Sequence, residues 1–181
     1  MKLCCRQAPP TTTRSLTSST KLEMRIRVEA LAEAGKHLEA CEILEQLVVV
    51  SPRNPLIWND LGIQYEASGQ TDKAFNALGR GYQCDSTYPP ILYNLGKFTL
   101  DRFLNLRKAG ELAAAEAQSL LDKAIMFLNA NLDRDPDNAD AHYNLALAYA
   151  LNQNEQRAHV HMTVALRIKH ELEAPSGWLL G

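Results

Sequence analysis

The sequence lacks the features that mark several large classes of protein. Its 181 residues include only four cysteines and no CxxC pair, so neither a disulfide framework nor a zinc site of the usual ligand spacing is expected. No run of about 18 consecutive apolar residues occurs, and we therefore expect no membrane-spanning helix. Basic residues number 19 against 21 acidic ones, which argues against a broadly basic nucleic-acid-binding surface.

Glycine and proline are also scarce, with nine and eight residues. Hydrophobic residues make up 46% and charged residues 22%, which are ordinary values for a globular protein and exclude a collagen-like or wholly disordered chain. A length of 181 residues corresponds to one domain or two small ones. Composition alone therefore predicts a soluble globular protein.

The first part of the chain differs from the rest in charge. Residues 1–22 contain no acidic residue, are rich in Ser and Thr, and carry four basic residues: Lys2, Arg6, Arg14 and Lys21. Such a segment buries too little apolar surface to offset the entropy lost on ordering, so we predict a disordered basic leader over 1–22. A start of this composition also resembles an organelle-targeting segment. The predicted location is therefore cytoplasmic, or an organelle reached through the leader.

The remainder of the chain repeats a helical pattern at an interval of about 34 residues. In the second block Trp58, Leu61, Gly62 and Tyr65 are spaced i, i+3, i+4 and i+7, which places them on one face of a helix. A facing stripe of Ala74, Leu78 and Gly81 follows on a second helix, after a turn at Gly69 and a candidate cap at Thr71. The blocks span 21–54, 55–88, 89–138 and 139–172 within a domain of residues 23–172, and a short tail, 173–181, follows.

The third block is longer than the others by about 16 residues. The added sequence is rich in helix formers and contains no proline, so we predict an elongated helical hairpin that turns near Ala109 and Gly110. A loose surface loop is the alternative. The residues expected to hold the hairpin together are Phe103, Leu104 and Leu106 against Leu112, Ala115 and Leu120.

This pattern resembles the tetratricopeptide repeat over Lys21 to Leu172. The resemblance is best in the second block, through Trp58, Leu61, Gly62, Tyr65 and Ala74. It implies an all-α fold, namely an α-solenoid of four tandem helix-turn-helix repeats with the third repeat elongated.

The resemblance also implies a binding face, because ligand contacts in this family commonly lie on the first helix of each repeat. Carried over to this chain, the expected peptide-binding residues are Arg25, Asn59, Ile63, Glu66, Tyr93, Asn94, Lys97, Tyr143, Asn144 and Leu147. Asparagine side chains can hydrogen-bond the backbone of an extended peptide without reading its sequence. The family's clamp for a C-terminal carboxylate is not expected, since most of its cationic positions hold uncharged or acidic residues.

No enzyme motif occurs in the sequence, and His159 and His161 lie too far apart around a helix to share a metal ion. We therefore predict a non-catalytic protein–protein interaction module, an adaptor or assembly factor or a co-chaperone-like protein, with no cofactor, no bound metal and no nucleic-acid or membrane partner. The alternatives are a self-associating scaffold and a regulatory subunit of an enzyme. Self-association would use the elongated hairpin or the terminal helix, where Val160, Val164 and Ile168 lack an obvious cover unless the Trp178 segment folds back over them.

Overall fold

The computed structural model describes residues 17–175. Within this range the chain forms α-helices and no β-strand, which confirms the predicted all-α class. The helices are α1 (Ser18–Glu33), α2 (His37–Val50), α3 (Pro55–Ala67), α4 (Thr71–Cys84), α5 (Pro89–Ala109), α6 (Ala114–Leu132), α7 (Ala139–Leu151) and α8 (Glu155–Ile168). None of these helices is both long and apolar enough to cross a membrane.

The helices pack as four consecutive hairpins that stack side by side. Each odd-numbered helix packs on the next helix of its own hairpin, and α2, α4 and α6 each pack on the first helix of the following hairpin. The first helix α5 also contacts the first helices α3 and α7 on either side of it. Two helices per repeat, stacked in one direction, form the predicted α-solenoid.

Residues with a left-handed backbone conformation lie in the short turns within the hairpins. Gly35 and Gly69 have φ of 71° and 78°, a region that favours glycine because it has no Cβ, and Gln153 takes the equivalent place in the fourth hairpin with φ of 57°. The prediction that Thr71 caps α4 is wrong. The backbone N–H of Gln70 donates to the Tyr65 carbonyl and closes α3, so Gln70 is the linking residue and α4 already begins at Thr71.

Helix α1 begins inside the segment that we expected to be disordered. Its first residue is Ser18, because the hydroxyl of Thr17 accepts a hydrogen bond from the backbone N–H of Thr20 at 3.2 Å and caps the helix. The Nζ of Lys21 donates to the hydroxyl of Ser51 at 2.9 Å and ties α1 to the end of α2. Serine and threonine thus start a helix here. Residues 18–22 belong to α1, whereas we expected disorder up to residue 22. The predictions for residues 1–16 and for the Trp178 segment fall outside the described residues.

Small residues let the helices of a hairpin approach closely. A Cβ built on Gly62 would meet Leu78 Cγ at 2.8 Å, and one on Gly96 would meet Leu128 Cγ at 2.6 Å. A Cβ on Gly81 would overlap Ile91 of the next repeat. Gly62 and Gly81, which belong to the predicted helix stripes, therefore lie at close contacts between helices.

The third hairpin is elongated, as predicted. Helices α5 and α6 have 21 and 19 residues, against 13 in α3 and 14 in α4, and the turn begins at Gly110 with φ of 74°. The predicted contacts are confirmed for Phe103, Leu106, Leu112 and Leu120, which share one hydrophobic cluster. They are wrong for Leu104 and Ala115, which are both exposed. Leu104 lies about 100° around α5 from Phe103, which faces the partner helix.

Candidate binding surface

A row of polar contacts joins the first helices of successive repeats. The Nδ2 of Asn94 donates to Oδ1 of Asn59 at 2.8 Å, and the Nδ2 of Asn144 donates to the hydroxyl of Tyr93 at 3.3 Å. The two pairs are separated by 35 and 51 residues, and the difference equals the extra length of the third repeat. In both cases the fifth residue of one first helix meets the sixth residue of the next.

A charged pair lines a cleft in the first two repeats. Arg25 and Asp60 are again 35 residues apart, and both line a cleft of about 190 Å³ between α1 and α3. Burial raises the pKa of the Asp60 carboxyl above its ordinary value, while the Asn59 amide and the Arg25 guanidinium oppose the rise. We call the residues Arg25 and Asp60, together with the hydrogen-bonded pairs Asn59–Asn94 and Tyr93–Asn144, the polar seam.

The predicted binding residues along the polar seam differ in how exposed their side chains are. Asn59 and Asn94 are only 4% and 8% exposed, and their mutual hydrogen bond holds α3 against α5. Ile63 is 37% exposed, whereas Arg25, Tyr93, Tyr143 and Asn144 are half-buried. The two buried asparagines therefore form the floor of this face, and the other side chains stand above it.

Two ion pairs involve charged residues of this face. The Nζ of Lys97 lies 2.7 Å from Oδ2 of Asp101, and the Nζ of Lys169 lies 3.2 Å from Oδ1 of Asp140. Burial, together with the nearby carboxylates of Asp140 and Asp101, raises the pKa of Tyr93 to about 12. The phenol of Tyr93 consequently remains protonated and able to donate a hydrogen bond near neutral pH.

Two predicted residues lie at the far ends of their helices from the polar seam. Glu66 is half-buried, and its Oε2 has no hydrogen-bond partner among the residues that the structure describes. Leu147 is half-buried and packs against the hydrophobic cluster of the elongated hairpin, together with Leu151. The structure thus gives Leu147 a packing role in addition to its place on the first helix.

Asp60 was not predicted from the sequence, although it holds the same sixth helix position as Asn94 and Asn144.

A cluster of side chains on the fourth hairpin was also not predicted. The Nδ1 atoms of His142 and His161 lie 2.9 Å apart, and the ring of Tyr149 stacks on His161. These residues are far apart in sequence, and only the antiparallel packing of α7 and α8 brings them together.

The histidine pair has a defined hydrogen-bond direction. Since the Pro136 carbonyl only accepts, Nε2 of His142 donates to it, and neutral His142 then accepts at Nδ1 from His161. Burial, His142 and Arg157 all lower the pKa of His161 below 6.5. Over residues 17–175 no group of three His, Cys, Asp or Glu side chains is placed to hold a metal ion.

Comparison with known proteins identifies the repeat. A sequence model of the tetratricopeptide repeat matches residues 132–160, from the end of α6 into α8. This part of the chain is therefore similar to a tetratricopeptide repeat. The matched residues include the whole of α7. No curated protein matches the chain in sequence.

Solved structures show the same architecture over most of the chain. MamA 41-end from Desulfovibrio magneticus RS-1 superposes with a TM-score of 0.68 at 18% identity, covering 84% of this chain and 77% of that one. PilF of Pseudomonas aeruginosa gives 0.66 at 15% identity, covering 84% and 62%. A tetratricopeptide repeat protein from Parabacteroides merdae ATCC 43184 gives 0.62 at 20% identity, covering 86% and 56%. At these identities the likeness establishes the fold.

Proposed function

We propose that this chain of tetratricopeptide-like repeats is a non-catalytic interaction module that holds an extended peptide segment of a partner along the polar seam. Repeats of this family generally serve protein–protein interaction rather than catalysis, which supports the broad class. The observation that carries the proposal is the polar seam itself, a series of amide, phenol and charged groups along α1, α3, α5 and α7. An adaptor or assembly factor uses such a face to bring a partner segment to another protein.

The chemistry of the polar seam favours binding over catalysis. Amides do not titrate, and a phenol with a pKa near 12 does not exchange protons efficiently at neutral pH. Amides do offer both donors and acceptors, which match the backbone of an extended peptide. Tyr93 and Tyr143 add apolar ring faces with a polar tip, a combination common at binding hot spots.

Peptide selection followed by affinity measurement tests this proposal. Peptides selected on the wild-type protein from a display library are labelled, and their binding is measured by fluorescence anisotropy. Ile63→Glu places a charge on the exposed side of α3, and we expect it to weaken binding by about tenfold or more. Val49→Glu makes the same change at a residue of α2 that is 65% exposed and should leave the affinity unchanged. Equal affinity for Ile63→Glu and wild type would contradict the proposal.

A self-associating scaffold is the second candidate, favoured by apolar residues exposed at both ends of the solenoid. Leu22 and Ile26 of α1 are each 57% exposed, and Val160 and Ile168 of α8 are 55% and 38% exposed. If a second copy continued the helix stack, the exposed α8 face of one copy would lie against the exposed α1 face of the next. Solution mass measured over a concentration series tests this candidate with wild type and Val160→Glu. A monomeric mass for both proteins at every concentration would rule it out.

A further inference from the structure

A second cleft lies at the root of the elongated hairpin, between α4 and α6, with α5 as its floor. Its volume is about 410 Å³, which lies within the usual range for ligand-binding clefts. Phe75, Leu95 and Phe127 line one end, while Arg102 and Lys123 line the part nearer the hairpin. The cleft exists because the second half of α5 and the first half of α6 continue beyond the start of α4, so it depends on the elongation of this repeat.

The cleft is separate from the polar seam, although both use α5. Leu95 and Arg102 are seven residues apart and share one face of the helix. Since each residue advances about 100° around the axis, Asn94 lies about 100° and Lys97 about 160° around the helix from Leu95. A ligand in this cleft would therefore leave the first-helix face free.

The apolar end of the cleft is held in place by aromatic packing. The ring of Phe75 meets Phe98 edge to face with centroids 6.5 Å apart, and Phe127 meets Tyr82 in the same way at 5.8 Å. Two aromatic side chains and Leu95 thus form a preformed surface that an apolar side chain can cover without reorganising it.

The other part of the cleft carries an excess of positive charge. Arg102 and Lys123 are exposed, and neither lies within 4.0 Å of an acidic group in residues 17–175. Glu116 is the acidic residue of the lining, so two cations stand against one anion. The hydroxyl of Thr99 donates to the Leu95 carbonyl at 2.6 Å and is already occupied. The side chains left for a ligand are therefore mainly cationic.

We propose that this cleft binds an acidic amphipathic segment of a partner protein. An apolar side chain of the segment covers Phe75, Leu95 and Phe127, and its carboxylates pair with Arg102 and Lys123. The lining residues of α6 run from Glu116 to Phe127, which is about 16 Å at 1.5 Å per residue and matches two to three turns of a bound helix. Charge complementarity selects an acidic partner over a neutral or basic one.

Fluorescence anisotropy with two matched peptides tests the inference. One labelled peptide is a short amphipathic helix built from Leu, Phe, Asp and Glu, and the other has Asn and Gln in place of the acidic residues. We expect the acidic peptide to bind wild type at least about tenfold more tightly than its amide counterpart, with the difference shrinking as salt is added. The double variant Arg102→Glu/Lys123→Glu should lose this preference.

The chain offers a matched control at the tip of the same hairpin. Arg107→Glu/Lys108→Glu makes the same change in charge at two exposed residues outside the cleft and should retain the affinity. The inference is overturned if the amide peptide binds as well, if the tip variant loses as much affinity, or if the acidic peptide does not bind at all. Ile63→Glu should not affect this binding, so failure here and failure of the first-helix proposal are distinguishable.

Discussion

At the scale of single residues, two kinds of position decide how the repeats fit together. Glycines remove a Cβ where helices touch, as at Gly62 and Gly96, and Gly62 is one of the residues that carry the sequence pattern. The buried Asn59–Asn94 pair joins neighbouring first helices, a contact that the prediction of both residues as ligand contacts did not include. Spacing along the chain shows which face a residue occupies, but its pairing across repeats depends on the offset between stacked helices.

Gly96→Ala should destabilise the protein by about 1–3 kcal/mol because the new methyl group would press on Leu128, including its backbone nitrogen at 3.2 Å. Gly79→Ala is the matched control, since nothing lies within 4 Å of a Cβ built on Gly79 of α4. That change should instead stabilise the protein by about 0.5–1 kcal/mol through helix propensity. Urea-induced unfolding followed by circular dichroism measures both, and similar effects of the two variants would contradict the packing described here.

His161 should make the stability of the protein fall in mild acid. Its pKa is lowered in the folded protein, so the unfolded chain binds a proton first and the free energy of unfolding falls as the pH drops below about 6.5. His161→Gln should remove this part of the pH dependence, measured by urea unfolding at a series of pH values. His159→Gln alters an exposed histidine on the same helix and should retain it. An unchanged pH dependence in His161→Gln would contradict the assignment.

At the scale of elements, the helix count, the short turns and the elongated hairpin were all predictable from the sequence. That prediction rested on the helix-forming composition, the spacing of apolar residues and the position of Gly110. The start of α1 was not predictable from composition, because Ser and Thr are common both in disordered segments and at helix caps. The inner and outer faces of the hairpin were assigned only in part, since Leu104 lies beside Phe103 in sequence but points away from α6.

Phe103→Ala should loosen the elongated hairpin and cost about 3–5 kcal/mol, because Phe103 is 5% exposed and packs within the cluster that joins α5, α6 and α7. Amide hydrogen exchange should become faster in the second half of α5 and the first half of α6. Leu104→Ala changes the neighbouring residue, which is 39% exposed, and should cost less than about 0.5 kcal/mol. Equal effects of the two variants would show that the hairpin packs differently.

At the scale of the whole molecule, the stacking of four repeats creates surfaces that no single repeat has. The polar seam needs two neighbouring first helices at every contact, and the second cleft needs the elongated third repeat beside α4. The repeats follow from the periodicity of the sequence, whereas the binding face stays a prediction that the family resemblance implies. The cleft lined by Arg25 and Asp60 and the second cleft were not predicted, because they depend on the offset and length of packed helices.

The most direct test of the central claim, that partners bind along the polar seam, uses the side-chain amide signals of Asn59, Asn94 and Asn144 in NMR spectra. Titration with a peptide selected on the wild-type protein should shift these signals, since the peptide would lie over the row that they form. Signals from the exposed side of α2, around Val49, should stay in place. Saturable binding of selected peptides that leaves the three asparagine signals unchanged would contradict the account.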